Sequence, residues 1–137
     1  MSNTWWRSGT VMFFLFAIAS LGVATTDSKE EAARFGALLK QHHQNISTPE
    51  GKGYEKAFMN QYQARYGTVL GDCIQKSGAP ASFNMILVIG KDGRVINGVT
   101  KSRSSLAECV IRATQKDAFP KPPFAPFHIN IEQSFEP

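Results

Sequence analysis

The sequence has few of the residues on which catalysis, metal binding or nucleic-acid binding usually depends. It contains two cysteines and three histidines in 137 residues, with no Cys-x-x-Cys pair, glycine-rich phosphate loop or nucleophile motif. The 15 basic residues are scattered among 11 acidic ones, and no long run of one sign predicts a nucleic-acid-binding surface. We therefore expect no catalytic activity, no cofactor, no small-molecule substrate and no nucleic-acid partner.

Two adjacent histidines, His42 and His43, do not predict a metal site. Neighbouring residues on a helix point about 100° apart, and no carboxylate or cysteine lies at a spacing suited to a shared ion. We expect no bound metal here and interpret the pair as the polar end of a helix. Asn45-Ile46-Ser47 matches the N-glycosylation sequon. This match would matter only in a eukaryotic secretory pathway.

Charge is also scarce at the N-terminus. Arg7 is the only charged side chain before Asp27, and residues 11–23 are almost wholly apolar, ending in small residues up to Ala24. A charged start, a short apolar core and a small-residue exit predict a secretory signal peptide over residues 1–24. The apolar run is shorter than the roughly 20 residues that span a bilayer. The alternative is an uncleaved anchor in the inner membrane, and only then do we expect membrane contact.

Export changes what the two cysteines mean. In an oxidising compartment an even number of cysteines predicts a disulfide, and Cys73 and Cys109 allow one intramolecular pairing. Each cysteine lies on the buried stripe of a predicted helix, so two helices on the same face of a sheet would bring them within bonding range. We expect a periplasmic protein, or a secreted one, with this bridge. The alternative is two buried free thiols.

The rest of the chain alternates between helical and strand periodicity. An N-terminal helix and connector occupy residues 25–48, and the main domain occupies residues 49–137. The predicted elements are a helix at 25–45, a helix from about Pro49 to Lys76, a hairpin of strands Phe83–Ile89 and Arg94–Thr100, a helix from Ser105 to about Lys116, and a strand from Phe127.

The hairpin around Lys91-Asp92-Gly93-Arg94 is the strongest local signal, because Gly93 supplies the positive φ that a tight turn needs. A crossover that returns the last strand beside the first gives a three-stranded antiparallel sheet of order 2-1-3. We therefore predict an α+β fold with helices packed on one face of the sheet, plus the N-terminal helix, whose packing the sequence leaves open.

Alternation along the strands predicts which residues share a face. In the first strand, Phe83, Met85, Leu87 and Ile89 lie together. In the second strand, alternation places Val95, Asn97 and Val99 on one face and Ile96 and Gly98 on the other. Asn97-Gly98 is interpreted as a bulge or a close backbone contact, since the strand continues beyond it. The following helix is predicted to start with the capping box Ser105-x-x-Glu108.

This arrangement resembles a known family. The matching residues are Cys73-Ile74, Phe83 to Ile89, Asp92-Gly93-Arg94-Val95, Ser104-Ser105, Cys109-Val110, Phe119-Pro120 and Phe135. Over residues 54–137 the chain looks like the C-terminal domain of TonB, and it is closer to the cysteine-containing TonB-like domains of AgmX/PglI-type bacterial proteins. The resemblance implies a location in the bacterial envelope and binding of a partner strand at an exposed sheet edge. The proline-rich spacer and the motor-coupling helix of TonB are not found here, so energy transduction is not implied.

Two functional classes follow from these observations. The first is a non-catalytic interaction module that binds a protein partner by strand pairing at a sheet edge. The candidate edge residues are Asn97 and Gly98 in the second strand, and Phe127, Ile129 and Ile131 in the last. The alternative is a small exported inhibitor or immunity-type protein that blocks its partner through a loop, such as residues 101–104.

The signal-peptide prediction has a direct optical test. Both tryptophans of the chain, Trp5 and Trp6, lie within the predicted signal peptide. The exported protein should therefore start near Thr25 by intact mass and should show no tryptophan emission. A full-length mass with tryptophan fluorescence would instead support the anchor.

Overall fold

The computed structural model describes residues 23–136, with side chains described from Ser28 onward. The predicted signal peptide lies outside the described residues except for its last two. Within the described part, no helix is both long and apolar enough to cross a bilayer. The elements are α1 (Val23–Asn45), α2 (Pro49–Ser77), β1 (Phe83–Ile89), β2 (Val95–Thr100), α3 (Ser105–Thr114) and β3 (Phe127–Gln133).

The sheet is antiparallel and has the order β2-β1-β3, as the sequence predicts. β1 lies at its centre and is buried on both faces, because Met85 and Leu87 on one face and Ile86 on the other have no exposed surface. At the turn into β2, Gly93 adopts φ +85° and its N–H donates to the Gly90 carbonyl at 3.0 Å. A side chain at Gly93 would also collide with the Phe119 carbonyl.

The main core lies between one face of the sheet and the helices α2 and α3. The odd-numbered residues of β1 meet an aromatic stripe on α2, which consists of Tyr54, Phe58, Tyr62 and Tyr66. Phe119, from the proline-rich segment before β3, stacks on Phe58 with ring centroids 4.2 Å apart. Each such aromatic side chain buries a large apolar area.

A disulfide joins α2 to α3 on this face. Cys73 and Cys109 are bonded through their sulfur atoms, which confirms the predicted pairing. Cys73 is buried and Cys109 is half-buried, so the bridge lies at the rim of the main core. It holds the two helices that cover the sheet in a fixed relation.

The N-terminal helix packs on the opposite face of the sheet. Phe35 is buried against Ile86 and Val99, with Leu38 and Leu39 beside them. The sheet is therefore covered on both faces, by α2 and α3 on one side and by α1 on the other. The sequence predicts the first layer and leaves the second open.

Helix boundaries agree with the predicted capping signals at both ends of α2. Thr48 caps α2 by accepting from the Gly51 N–H, and Gly78 ends the helix at φ 93°. The exception is α3, where Ser104 is the N-cap and accepts from the Ala107 N–H. The predicted cap at Ser105 is wrong by one residue, because Ser104 is the last residue with extended backbone angles. The start of α1, at Val23, lies two residues before the predicted one.

The predicted faces of β2 are partly wrong, because the strand contains a bulge. Val88 pairs with Asn97 while Ile89 pairs with Val95, so Ile96 is an extra residue. One inserted residue reverses the alternation. Val95 therefore joins the main core while Val99 faces α1.

The disulfide predicts a large and redox-dependent stability change. A closed loop of this length stabilises a chain by about 4 kcal/mol in the chain-entropy model. Cys109→Ala should therefore lower the free energy of unfolding by about that amount in urea titrations. Under reducing conditions the variant and the wild type should differ much less. Two alkylatable thiols in the native exported protein would contradict the bridge.

Candidate functional site at the edges of the sheet

The outer edge of β2 can be read from its hydrogen-bond ladder. Directly after the strand, the Lys101 N–H donates to the Asn84 carbonyl at 3.0 Å. Main-chain groups in an antiparallel pair point alternately toward and away from the neighbouring strand. Gly98 and Thr100 therefore direct their N–H and C=O groups away from β1, at the edge of the sheet.

Just before β2 this side of the hairpin is paired with another segment, through a bridge between Arg94 and Ala118, whereas the edge at Gly98 and Thr100 is open. The Gly98 N–H donates to the side-chain Oδ1 of the preceding Asn97 at 2.9 Å, which is a local contact on the same strand. Among residues 23–136 no hydrogen bond reaches the Gly98 carbonyl or the main-chain groups of Thr100 from another element. Ile96, at the bulge, has 60% of its surface exposed. Of the two predicted candidates on β2, Gly98 directs its main-chain groups to this edge, whereas those of Asn97 face β1.

The three candidates on β3 lie elsewhere. Phe127, Ile129 and Ile131 are buried in the main core and sit opposite Ile89, Leu87 and Met85 of β1. Their main-chain groups face β1, by the same alternation. The outward main-chain groups of β3 belong instead to the residues between and after them, His128, Asn130 and Glu132.

The outer edge of β3 is closed at His128 by side chains from α1. The His128 N–H donates to Asn45 Oδ1 at 2.9 Å, and His42 Nδ1 donates to the His128 carbonyl at 2.8 Å. The ring of His128 makes a further bond, from its Nδ1 to the same Asn45 oxygen at 2.9 Å. Both rings therefore carry a proton on Nδ1. We call these three residues the α1 clamp.

Burial makes the α1 clamp sensitive to charge. His42 and His128 are only 5% and 3% exposed. Burial, and secondly the positive charge that His42 can carry, hold the pKa of His128 below its ordinary value of 6.5. Glu55 of α2 lies at the outer side of the clamp, with its Oε1 4.0 Å from His42 Nε2. The clamp is thus built around a neutral His128.

Sequence reasoning missed this role for His42, Asn45 and His128. A signal was present, because His42 continues the helical stripe of Phe35, Leu38 and Leu39 and so faces inward. Its partner is 86 residues away in the chain, and no local pattern identifies such a pair.

Elsewhere on the described part of the chain, few functional side chains lie close together. A groove of about 370 Å³ between α1 and the loop after β2 is lined by Glu31, Arg103 and three further polar or charged residues. Glu31 and Arg103 form an ion pair across it at 3.5 Å. In the described residues, no three histidine, cysteine or acidic side chains lie close enough to hold a metal ion. Burial raises the pKa of Tyr62 to about 12, as expected for a tyrosine in the core.

The fold and its edges define an α+β domain whose unpaired strand edge is the best-formed candidate site. No protein-family model, no curated protein and no solved structure matches this chain. Any function must therefore be argued from the geometry of the chain itself.

The α1 clamp predicts a stability effect at Asn45. Removing its side chain leaves the buried N–H and ring Nδ1 of His128 without an acceptor, which costs about 1–3 kcal/mol per group. Asn45→Ala should therefore lower the free energy of unfolding by at least about 2 kcal/mol. The exposed neighbour Gln44 is the matched control, and Gln44→Ala should stay within about 0.5 kcal/mol of wild type. Equal effects of the two substitutions would contradict the clamp.

Proposed function

We propose that this protein is a non-catalytic interaction module that binds an extended segment of a partner protein along the outer edge of β2. The observation that carries the proposal is that Gly98 and Thr100 direct their main-chain groups away from β1, at an edge where the Gly98 N–H is held by the side chain of its own neighbour Asn97. Hydrogen bonding along such an edge gives affinity, and side chains on alternate sides of the added strand give specificity.

The contrast between the two edges supports the choice of β2. A strand that paired along β3 would meet the Asn45 side chain at His128, where the hydrogen-bonding groups are already satisfied. On β2 the corresponding main-chain groups at Thr100 make no hydrogen bond with another element of the described chain. Long open edges are usually protected in soluble proteins, so an edge left available next to a protected one favours a binding role.

We also propose that the protein works in an exported, oxidising compartment, the periplasm. The Cys73–Cys109 disulfide supports this location, since such bonds persist chiefly in oxidising environments. The resemblance of residues 54–137 to TonB-like domains points the same way, and it implies the same mode of strand pairing. Cleavage of residues 1–24 belongs to the same proposal.

Proline substitutions on the two edges test the proposal. Proline removes the N–H that a partner strand needs, and at outward-facing positions it takes no hydrogen bond from β1. Thr100→Pro should abolish capture of the partner from an envelope extract. Asn130→Pro, at the corresponding outward position of β3, is the matched control and should retain it. Both variants should keep the Cys73–Cys109 bond and a cooperative melting transition.

The same capture experiment distinguishes strand pairing on β2 from the loop-based alternative. An inhibitor that acts through residues 101–104 should lose its partner when Arg103, whose side chain is 77% exposed, is changed to alanine. Strand pairing on β2 predicts that Arg103→Ala retains capture. Loss with Arg103→Ala together with retention in Thr100→Pro would overturn the proposal and favour the inhibitor.

A further inference from the structure

The α1 clamp joins two elements, α1 and β3, that are far apart in the chain. α1 crosses the sheet and holds the main chain of β3 at a single residue, His128, through His42 and Asn45. Its apolar contacts with the sheet include those of Phe35, Leu38 and Leu39 with Ile86 and Val99. The helix is thus attached by an apolar contact at one place and by a polar clamp at another.

We propose that α1 is an acid-released cover that controls access to the β3 edge. With the clamp closed, the domain offers one edge, that of β2. With the clamp open, the main-chain groups of His128 join those of Asn130 and Glu132, and β3 presents a second continuous edge for an extended segment. This inference extends beyond the proposed function, and it holds whether or not β2 binds a partner.

Acid favours release because the clamp has no place for a second proton on His128. His128 is only 3% exposed, and its Nδ1 already donates a hydrogen bond to Asn45 Oδ1. The ionisable groups near it are His42, from the same clamp, Glu55 of α2 and His43, whose ring lies 5.7 Å from that of His42. Of these, a positive charge on His42 disfavours a charge on His128.

The direction of the pH effect follows from linkage. The pKa of His128 is lowered in the closed state and returns toward its ordinary value when the helix leaves. The stabilisation of the closed state is therefore complete above about pH 6.5 and is lost as the pH falls below it. For a single proton this loss can reach about tenfold in the closing equilibrium per unit of pH.

Hydrogen exchange of two neighbouring amides in the full chain tests the inference. The His128 N–H bonds to α1, whereas the Ile129 N–H faces β1 and reports opening of the sheet itself. Between pH 7.5 and pH 5.5, the protection factor of His128, corrected for intrinsic exchange, should fall by up to about tenfold. That of Ile129 should stay constant. A constant value at His128, or a parallel fall at Ile129, would overturn the inference.

Two variants identify the responsible group. His128→Asn keeps a donor that can reach Asn45 but cannot take up a proton in this range, so the fall should disappear. His43→Gln, on the exposed side of α1, should leave the fall unchanged. A fall that persists in His128→Asn, or that vanishes in His43→Gln, would contradict the assignment. Should His128→Asn fail to fold, the wild-type comparison of the two amides and His43→Gln still decide the question. None of these measurements involves a partner, so failure here is distinct from failure of strand pairing on β2.

Discussion

The burial of β1 on both faces is the constraint on which the rest of the structure depends. A strand with apolar residues at both odd and even positions, such as Met85 and Ile86, needs a layer on each side. The helices α2 and α3, joined by the disulfide, form the first layer, and α1 forms the second. Both faces of the sheet are therefore occupied, and only its edges remain as places where main-chain groups meet solvent.

A three-stranded sheet has one central strand and two edges. In this domain the two edges differ in how their main-chain groups are hydrogen-bonded. On β3 the side chains of His42 and Asn45 satisfy the main chain of His128. On β2 the start of the edge is paired where Arg94 bridges Ala118 and the Phe119 N–H donates to the Gly93 carbonyl, while at Gly98 the contact comes from the neighbouring Asn97. The difference follows from the position of α1, whose Glu31 pairs with Arg103 after β2 and whose His42 binds the main chain of His128 on β3. The same helix that completes the core thus selects which edge stays open.

Much of the fold could be predicted from the sequence, because its signals are local. Alternation defined β1, the turn at Gly93 defined the hairpin, and buried stripes placed Cys73 and Cys109 on the same side. A bulge or a close contact was predicted at Asn97-Gly98, but the position of the bulge at Ile96 could not be predicted, since an inserted residue depends on how two strands pair. The clamp was missed for the same reason, because a buried histidine finds its acceptor only in the folded chain. The edge on β2 was predicted, while the outward residues of β3 required the observed register.

The inequivalence of the two edges can be measured by amide exchange near neutral pH, in the absence of any partner. The Thr100 N–H points away from β1 at the edge of β2, and the His128 N–H is held by Asn45 on β3. We expect the Thr100 amide to exchange close to the rate of an unstructured peptide and the His128 amide to be strongly protected. Equal exchange at the two positions, or protection at Thr100 alone, would contradict an open β2 edge and a covered β3 edge.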